Sequence, residues 1–489
     1  MENREQLTNP FYFRGPLNPD DPSCPSTMIW REDLLKELLE DVYKTRYFLI
    51  LGPRQTGKTT LAYQLSYRLQ ENVRNIVCFI ECGALGGATE SNVVDSIYSK
   101  VFQKFIDKAS EPENKGLLDC LDSIKNYPKP QTFYELYTFL DKVLINAVGL
   151  NRIILILDEI EAISQENLIN VLSMFRAIFN SYHDRREDPR YCVIMVTTRN
   201  LTALDLGYGS PYNIAEIRNV RNFSPEQVRE MLNKEHISIE ISNAFTEKAI
   251  EYLIEESNGQ PYLVQRICAR AVDWYIERKI KKIDKSDIIK SILHMFEFSD
   301  RNLRIILNTV EDKDNPELES FCKDLLRGEM IPFERVLPSI NRLYEAGVIK
   351  EASKERRLCD FGNKIYERLF LNRYFDDILG LKGKYLLRDA TLFLRSSEIQ
   401  RVILNEEIRK SIEDRISMPI KKGNEKKTLN TIIKILNELR NKGHLSYDID
   451  IIKIGILFFG SEISEENFTE DNITEVLARL YLEIFTVEQ

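Results

Sequence analysis

An α/β fold built on a buried parallel sheet, with a phosphate-binding loop at its carboxyl edge, is what three stretches of this 489-residue sequence predict. The first is the apolar run Tyr47-Phe48-Leu49-Ile50-Leu51, which leads into Gly52-Pro53-Arg54-Gln55-Thr56-Gly57-Lys58-Thr59 and a helical pattern ending near Leu69. The second, Asn75-Ile76-Val77-Cys78-Phe79-Ile80, is an apolar run of strand length flanked by polar residues and reads as a buried parallel strand. The third, Arg152-Ile153-Ile154-Leu155-Ile156-Leu157, ends in Asp158-Glu159. Two carboxylates then fall at the carboxyl edge of a central strand, where open α/β sheets bind their ligands.

Composition bounds the rest. The length suits roughly three domains, and 43% hydrophobic with 10% aromatic residues can fill real cores. A net charge of −9 opposes a protein whose whole surface grips nucleic acid and leans towards protein partners. Eight cysteines without paired spacing and four histidines read as reduced, intracellular thiols. Cys78 and Cys82 have no second pair nearby and read as packing residues, not a zinc site. The polar, proline-rich N-terminus has no apolar h-region and no stretch approaches a membrane span, so a soluble, cytoplasmic protein without a membrane partner is expected.

In chain order, residues 1–26 read as an extended arm, and Ile29-Trp30-Arg31-Glu32-Asp33 leads into a helix through Leu34, Leu35, Leu38 and Leu39. The glycine-lysine loop is a complete P-loop: glycines let successive N–H groups point inward, and the following helix adds its N-terminal partial charge. The nucleotide-binding set runs from Gly52 through Pro53, Arg54, Gln55, Thr56, Gly57, Lys58 and Thr59 to Thr60. Lys58 would reach the β- and γ-phosphates, and the Thr59 hydroxyl would sit on Mg²⁺. The charged, proline-broken segment Asp107–Pro130 reads as a surface insertion with one short helix. Asp158 would hold Mg²⁺ through its water shell, and Glu159 would orient and deprotonate the attacking water. A further strand, Tyr191–Val196, ends in Thr197-Thr198-Arg199-Asn200. Arg199 there either touches the γ-phosphate, if this strand neighbours the one ending in Asp158, or is an exposed loop cation.

Beyond a strand near Ile214–Val220, Ser224-Pro225-Glu226-Gln227 is a capping-box start for a helical lid that meets Gly259-Gln260-Pro261. The basic stretch from Ile276 to Lys290 reads as a solvated face, with a nucleic-acid patch as the alternative. From about residue 300 to 375 the order is helix, helix, hairpin, helix: amphipathic Pro332–Ala346 stopped by Gly347, strands at Val348–Lys350 and Arg357–Cys359, and helical Phe361–Leu371. That is the order of a winged helix, which either reads DNA or serves as a packing module. The remainder reads as helical at Leu386–Leu394, Leu404–Ile416, Leu429–Leu439 and Ile473–Ile484, with a charged link at Lys421–Lys427 and an apolar core segment at Ile451–Phe459. The expected domains are the arm 1–26, a P-loop ATPase core 27–222 that resembles the ASCE/AAA-like type, a helical lid 223–298, a winged helix 299–375 and a mostly α-helical C-terminal domain 376–489.

This order of motifs resembles the nucleotide-binding module of STAND-class signalling ATPases, and within it the bacterial AAA-like domain family, related to NB-ARC and NACHT switches. The likeness covers roughly residues 10–375. Tyr12-Phe13-Arg14-Gly15-Pro16-Leu17 is similar to the family's lead-in, Ile29-Trp30-Arg31-Glu32 to its adenine-side entry segment, and Ser210-Pro211-Tyr212-Asn213-Ile214 to a motif between the last two core strands. The resemblance implies Trp30 and Arg31 at the nucleotide, Pro261 near the adenine and Arg199 as γ-phosphate sensor. It also implies a departure: where NB-ARC relatives carry Met-His-Asp, this chain has Leu358-Cys359-Asp360, and a thiol cannot replace an imidazole donor. An ADP state held more weakly, or by other groups, follows.

Two functions are consistent with these motifs. The first is a slowly hydrolysing ATP/ADP switch that needs Mg²⁺, changes conformation or self-associates with nucleotide state, and signals to an effector or sensor protein, with bacterial antiviral defence suggested by analogy. The alternative is a DNA-binding initiator or loader ATPase. The acidic balance opposes it, as does Pro332–Ala346, in which Arg335 and Arg342 are offset by Glu334 and Glu345.

Overall fold

The structure, a computed structural model, describes residues 7–379 except 45–46, 112–113, 119, 150, 186–189, 200–214, 234, 279–280, 298–299, 327–328 and 353–356, together with 411, 415, 430–435 and 437–438. Asn200, the 210–214 motif, the 421–427 link, the 451–459 segment and the expected helices at 386–394 and 473–484 lie outside the described residues. So does 404–416, apart from residues 411 and 415. Of the expected helix Leu429–Leu439, the described residues are helical. The chain divides into two compact units, residues 1–244 with 259–273, and residues 245–258 with the chain from 274 onward.

The first unit is organised by a parallel sheet. Strands β1 (Tyr47–Leu51), β2 (Asn75–Glu81), β3 (Arg152–Asp158), β4 (Tyr191–Thr197) and β5 (Ala215–Asn219) stand in the order β2-β3-β4-β1-β5, every neighbour parallel. Because successive side chains point to opposite faces, the apolar runs split between two cores. Tyr47, Leu49, Ile76, Cys78, Ile153, Leu155, Tyr191 and Val193 pack with α3 (Glu90–Ala109) and the helix Gln165–Arg185 on one face. Phe48, Ile50, Val77, Ile154, Ile156, Cys192 and Ile194 pack with α1 (Glu32–Tyr43) and α2 (Lys58–Gln70) on the other. Burial on both faces is why these strands read as continuous apolar runs and not as alternation. Cys78 and Cys82 are free, buried thiols pushed up to about 12 by desolvation.

Some local expectations need correcting. The insertion after α3 is not only surface: it carries two short helices, Lys115–Leu118 and Leu121–Lys125, and Leu117 and Ile124 are buried in the sheet's core. Their isolated spacing among charges hid an apolar anchor. In the second unit the helix expected over Pro332–Ala346 is confined to Pro338–Glu345, because Pro338 occupies the first turn and biases Leu337 to extended backbone (ψ 125°). Pro332 instead forms a bridge with Leu358.

Around this helix the second unit has Arg301–Val310 and Glu317–Leu326 before it, the antiparallel pair β6 (Ile349–Glu351) and β7 (Cys359–Phe361), and then Lys364–Leu379. Ile349 faces Phe361, so the second strand starts two residues later than the sequence suggested and takes Phe361 out of the helix. Gly347 turns the chain at φ 79°. A buried ion pair clamps this unit: Arg368 donates through both Nη atoms to Glu256 on the helix Glu247–Ser257, Nη2 to Oε1 at 2.7 Å, with the side chains 7% and 1% exposed. Removing one partner strands the other's charge in the interior, so Glu256→Gln should lower unfolding free energy by about 3–5 kcal/mol, whereas Glu256→Leu with Arg368→Met should restore most of it. Urea denaturation of the three proteins checks this.

Candidate functional site

The P-loop bends over the carboxyl end of β1. A Cβ at Gly52 would stand 2.7 Å from the Val220 carbonyl oxygen, so only glycine lets the loop pass so close to the chain leaving β5. Gln55 and Gly57 take left-handed conformations (φ 62° and 82°), and Gly57 caps α2. The Thr56 hydroxyl and Lys58 Nζ both donate to the Pro53 carbonyl, at 2.9 and 2.8 Å. Burial lowers the Lys58 pKa to about 8, against the pull of Glu161, Asp158 and Glu159. An ammonium so desolvated is stabilised by any anion entering the loop.

The acids arrive by register. β3 ends at Asp158, paired with Glu81 on β2 and Val196 on β4, while Thr197 pairs with Leu51 on β1. Asp158 is 4% exposed, and desolvation raises its pKa to about 6 even though the neighbouring Thr59 hydroxyl pulls it down. Glu159 takes φ 53°, a conformation that costs a non-glycine residue of order 1 kcal/mol or more. Its carboxylate lies against Gly83, where any Cβ would overlap Oε2. Glu161, two residues on, accepts from Thr198 N at 2.9 Å and Thr198 Oγ1 at 2.6 Å. Three acceptors here, Gln55 Oε1, Asp158 Oδ1 and Glu161 Oε2, are buried without a hydrogen-bond partner. Each lacks a donor or a cation, which is what Mg²⁺ and its waters would bring; the residues present therefore fit a magnesium nucleotide.

The loop is braced from outside. Arg31 donates to Thr56 O and Arg221 O, both at 2.6 Å, and lies over the Phe223 ring; burial lowers its pKa to about 10. Arg31 therefore holds the loop's backbone. Trp30 packs instead against Tyr67 and Arg68, about 14 Å along α2 from Lys58 at 1.5 Å per residue. Pro261 lies next to Gly57, and Gln260 Nε2 reaches Arg54 O at 3.4 Å. Gly259 (φ 64°) lets this turn press on Phe223, whose N–H donates to Gly259 O at 2.9 Å. The Thr60 hydroxyl accepts from Leu17 N at 3.0 Å, so it anchors the N-terminal arm. The arm is further tied by Asn9 to Ala269 O and Asp273, and by Tyr12 N to Gln265. Arg199 is exposed at the end of β4, which is indeed the neighbour of β3.

Sequence reasoning missed Glu161. The run Asp158-Glu159-Ile160-Glu161 contains it, but only the β3–β4 adjacency shows that it reaches Thr198. Glu81 and Tyr63 were also passed over: the Tyr63 hydroxyl donates to Glu81 Oε1 at 2.8 Å, and the ring stacks on Phe79 beside the acids.

A glycine-lysine loop between the first strand and its helix, with an acid on a non-adjacent parallel strand, defines a P-loop α/β core. Residues 26–372 match the AAA-like domain family model, and the chain belongs to that family. Among solved structures, a Walker-type ATPase of Pyrococcus abyssi is similar at 17% identity and TM-score 0.47, over 74% of this chain and 99% of that one. The Aeropyrum pernix ORC1 protein, solved in complex with DNA, is similar at 13% identity and TM-score 0.37, over 73% and 95%. The RuvB Holliday junction branch migration motor of Thermotoga maritima is similar at 15% identity and TM-score 0.35, over 70% and 95%. No curated protein sequence matches the chain. Among the described residues, no helix is long and apolar enough to cross a membrane.

The brace makes a measurable demand. Arg31→Met leaves two carbonyls without their donor, about 1–3 kcal/mol each. A drop of several degrees in the unfolding midpoint and weaker nucleotide binding are expected, read by scanning calorimetry with and without ADP.

Proposed function

We propose that this chain is a STAND-type ATP/ADP switch that binds and slowly hydrolyses ATP and signals by changing conformation or self-associating. The observation carrying this reading is the buried, unpartnered Asp158 Oδ1 on a strand end whose carboxylate is influenced electrostatically by Thr59 and by the desolvated Lys58. Asp158 and Thr59 would hold Mg²⁺, which when bound neutralises charge on the β- and γ-phosphate oxygens. Lys58 would leave Pro53 O for the phosphates. Glu159, held in a strained backbone against Gly83, would orient and deprotonate the attacking water. Arg199, exposed at the β4 end, would touch the γ-phosphate, and Pro261 beside Gly57 would pack at the base.

The lid 223–298 and the winged helix 299–375 are the two-state element, biased by the γ-phosphate. The structure supports a weaker ADP lock: Cys359 is a mostly buried thiol, pushed up to about 11, with its Sγ donating to Pro332 O at 3.5 Å. It carries no charge for a diphosphate. Residues 376–489 would serve as sensor or effector adaptor.

Solution mass with ADP and with ATP–Mg²⁺ tests the switch: growth into a discrete oligomer with ATP, abolished by Lys58→Ala, is expected. A monomer under both conditions, with nucleotide bound, counts against self-association. Glu159→Gln should keep ATP binding and slow turnover about 100-fold or more, read as phosphate release; unchanged turnover would remove Glu159 from its role.

A further inference from the structure

Glu161 is outside the set that P-loop chemistry requires, yet it joins two strand ends. It sits in the 3-10 turn Ile160–Ala162, directly after the left-handed Glu159. One oxygen is fully used: Oε1 accepts from both the N–H and the hydroxyl of Thr198. The turn it grips is closed on itself by Arg199 N donating to Thr197 Oγ1 at 3.0 Å. The other oxygen, Oε2, is buried with no hydrogen-bond partner. A carboxylate oxygen can only accept, so it remains costly until a donor arrives. Lys58 already has a partner in Pro53 O and is drawn to phosphate. A hydrated divalent cation differs, since it keeps several waters and presents several O–H donors at once. Asp158 Oδ1, a second open acceptor three residues earlier on the same strand end, calls for the same supply.

We propose that Glu161 is a positioning residue that couples nucleotide state to the Thr197–Arg199 turn. Its Oε1 holds Thr198, and its Oε2 accepts a hydrogen bond from a magnesium-bound water that arrives with a nucleoside triphosphate. This rests on the ATP-binding reading. It makes the position of Arg199 depend on what fills the P-loop, through one rigid side chain instead of a diffuse rearrangement.

Two nearly isosteric variants separate the two oxygens. Glu161→Gln keeps an acceptor for Thr198 but puts an N–H donor where Oε2 accepts. Thr198→Val removes only the hydroxyl and leaves Oε2 alone. The full chain is titrated with fluorescent ADP and with a fluorescent non-hydrolysed ATP analogue, with and without Mg²⁺, after unfolding midpoints confirm the fold. In Glu161→Gln, the magnesium-dependent gain in analogue affinity should fall roughly tenfold or more, while magnesium-free ADP binding stays within about twofold. Thr198→Val should keep the magnesium gain and lose preference for the triphosphate over the diphosphate. Full magnesium gain in Glu161→Gln overturns the proposal, as does an equal loss of magnesium-free ADP binding, which would mark a purely structural role. A wild-type chain that binds neither nucleotide overturns the ATP-binding reading itself, and is thereby told apart from failure of the Glu161 role alone.

Discussion

The parallel register of β3, β4 and β1 is the constraint on which everything else in the site depends. Asp158 is level with Val196, and Thr197 is level with Leu51, so the acids, the Thr197–Arg199 turn and the P-loop all emerge at one sheet edge. A slip of one residue would turn each strand's side chains to the opposite core. The two cores forbid this, because Leu155 and Ile156 are each fully buried on their own face. Thus the packing of ordinary aliphatic side chains fixes where the carboxylates stand.

The site is built to be incomplete without a ligand. Lys58 and Asp158 are both taken out of water, and burial moves each pKa towards the neutral form. Left alone this is unfavourable, and the unpartnered oxygens of Gln55, Asp158 and Glu161 add to the cost. The surrounding braces, Arg31 on Thr56 and Arg221 and Gly259 on Phe223, fix the backbone beside those groups. Binding energy is then gained where charge and hydrogen bonds are already oriented.

The second unit has its own rigid feature in the Arg368–Glu256 pair, which ties the helix Glu247–Ser257 to Lys364–Leu379. Asn258 adds a hydrogen bond to Gly362 O at 2.9 Å, and Lys364 an ion pair with Glu255. The helix Glu247–Ser257 and the helix after the hairpin are therefore joined at three points in and beside them.

Local chemistry was enough to read the P-loop, the buried strands and the Ser224 capping box, because each depends on residues close in sequence: glycine dihedrals, apolar runs and an i,i+3 side-chain pair. The acids at Asp158 and Glu159 were legible for the same reason. Element ends were less so, since the start of the helix at Pro338 and the β6–β7 register depend on a bridge to Pro332 and on cross-strand partners. Only the tertiary structure placed Arg31 on the loop backbone, Trp30 away from it and Glu161 on Thr198. Those contacts link residues 25 to 190 positions apart and exist only once the strand order β3-β4-β1 is fixed. A sequence records which side chains can bond; which of them meet is decided when the sheet closes its two cores.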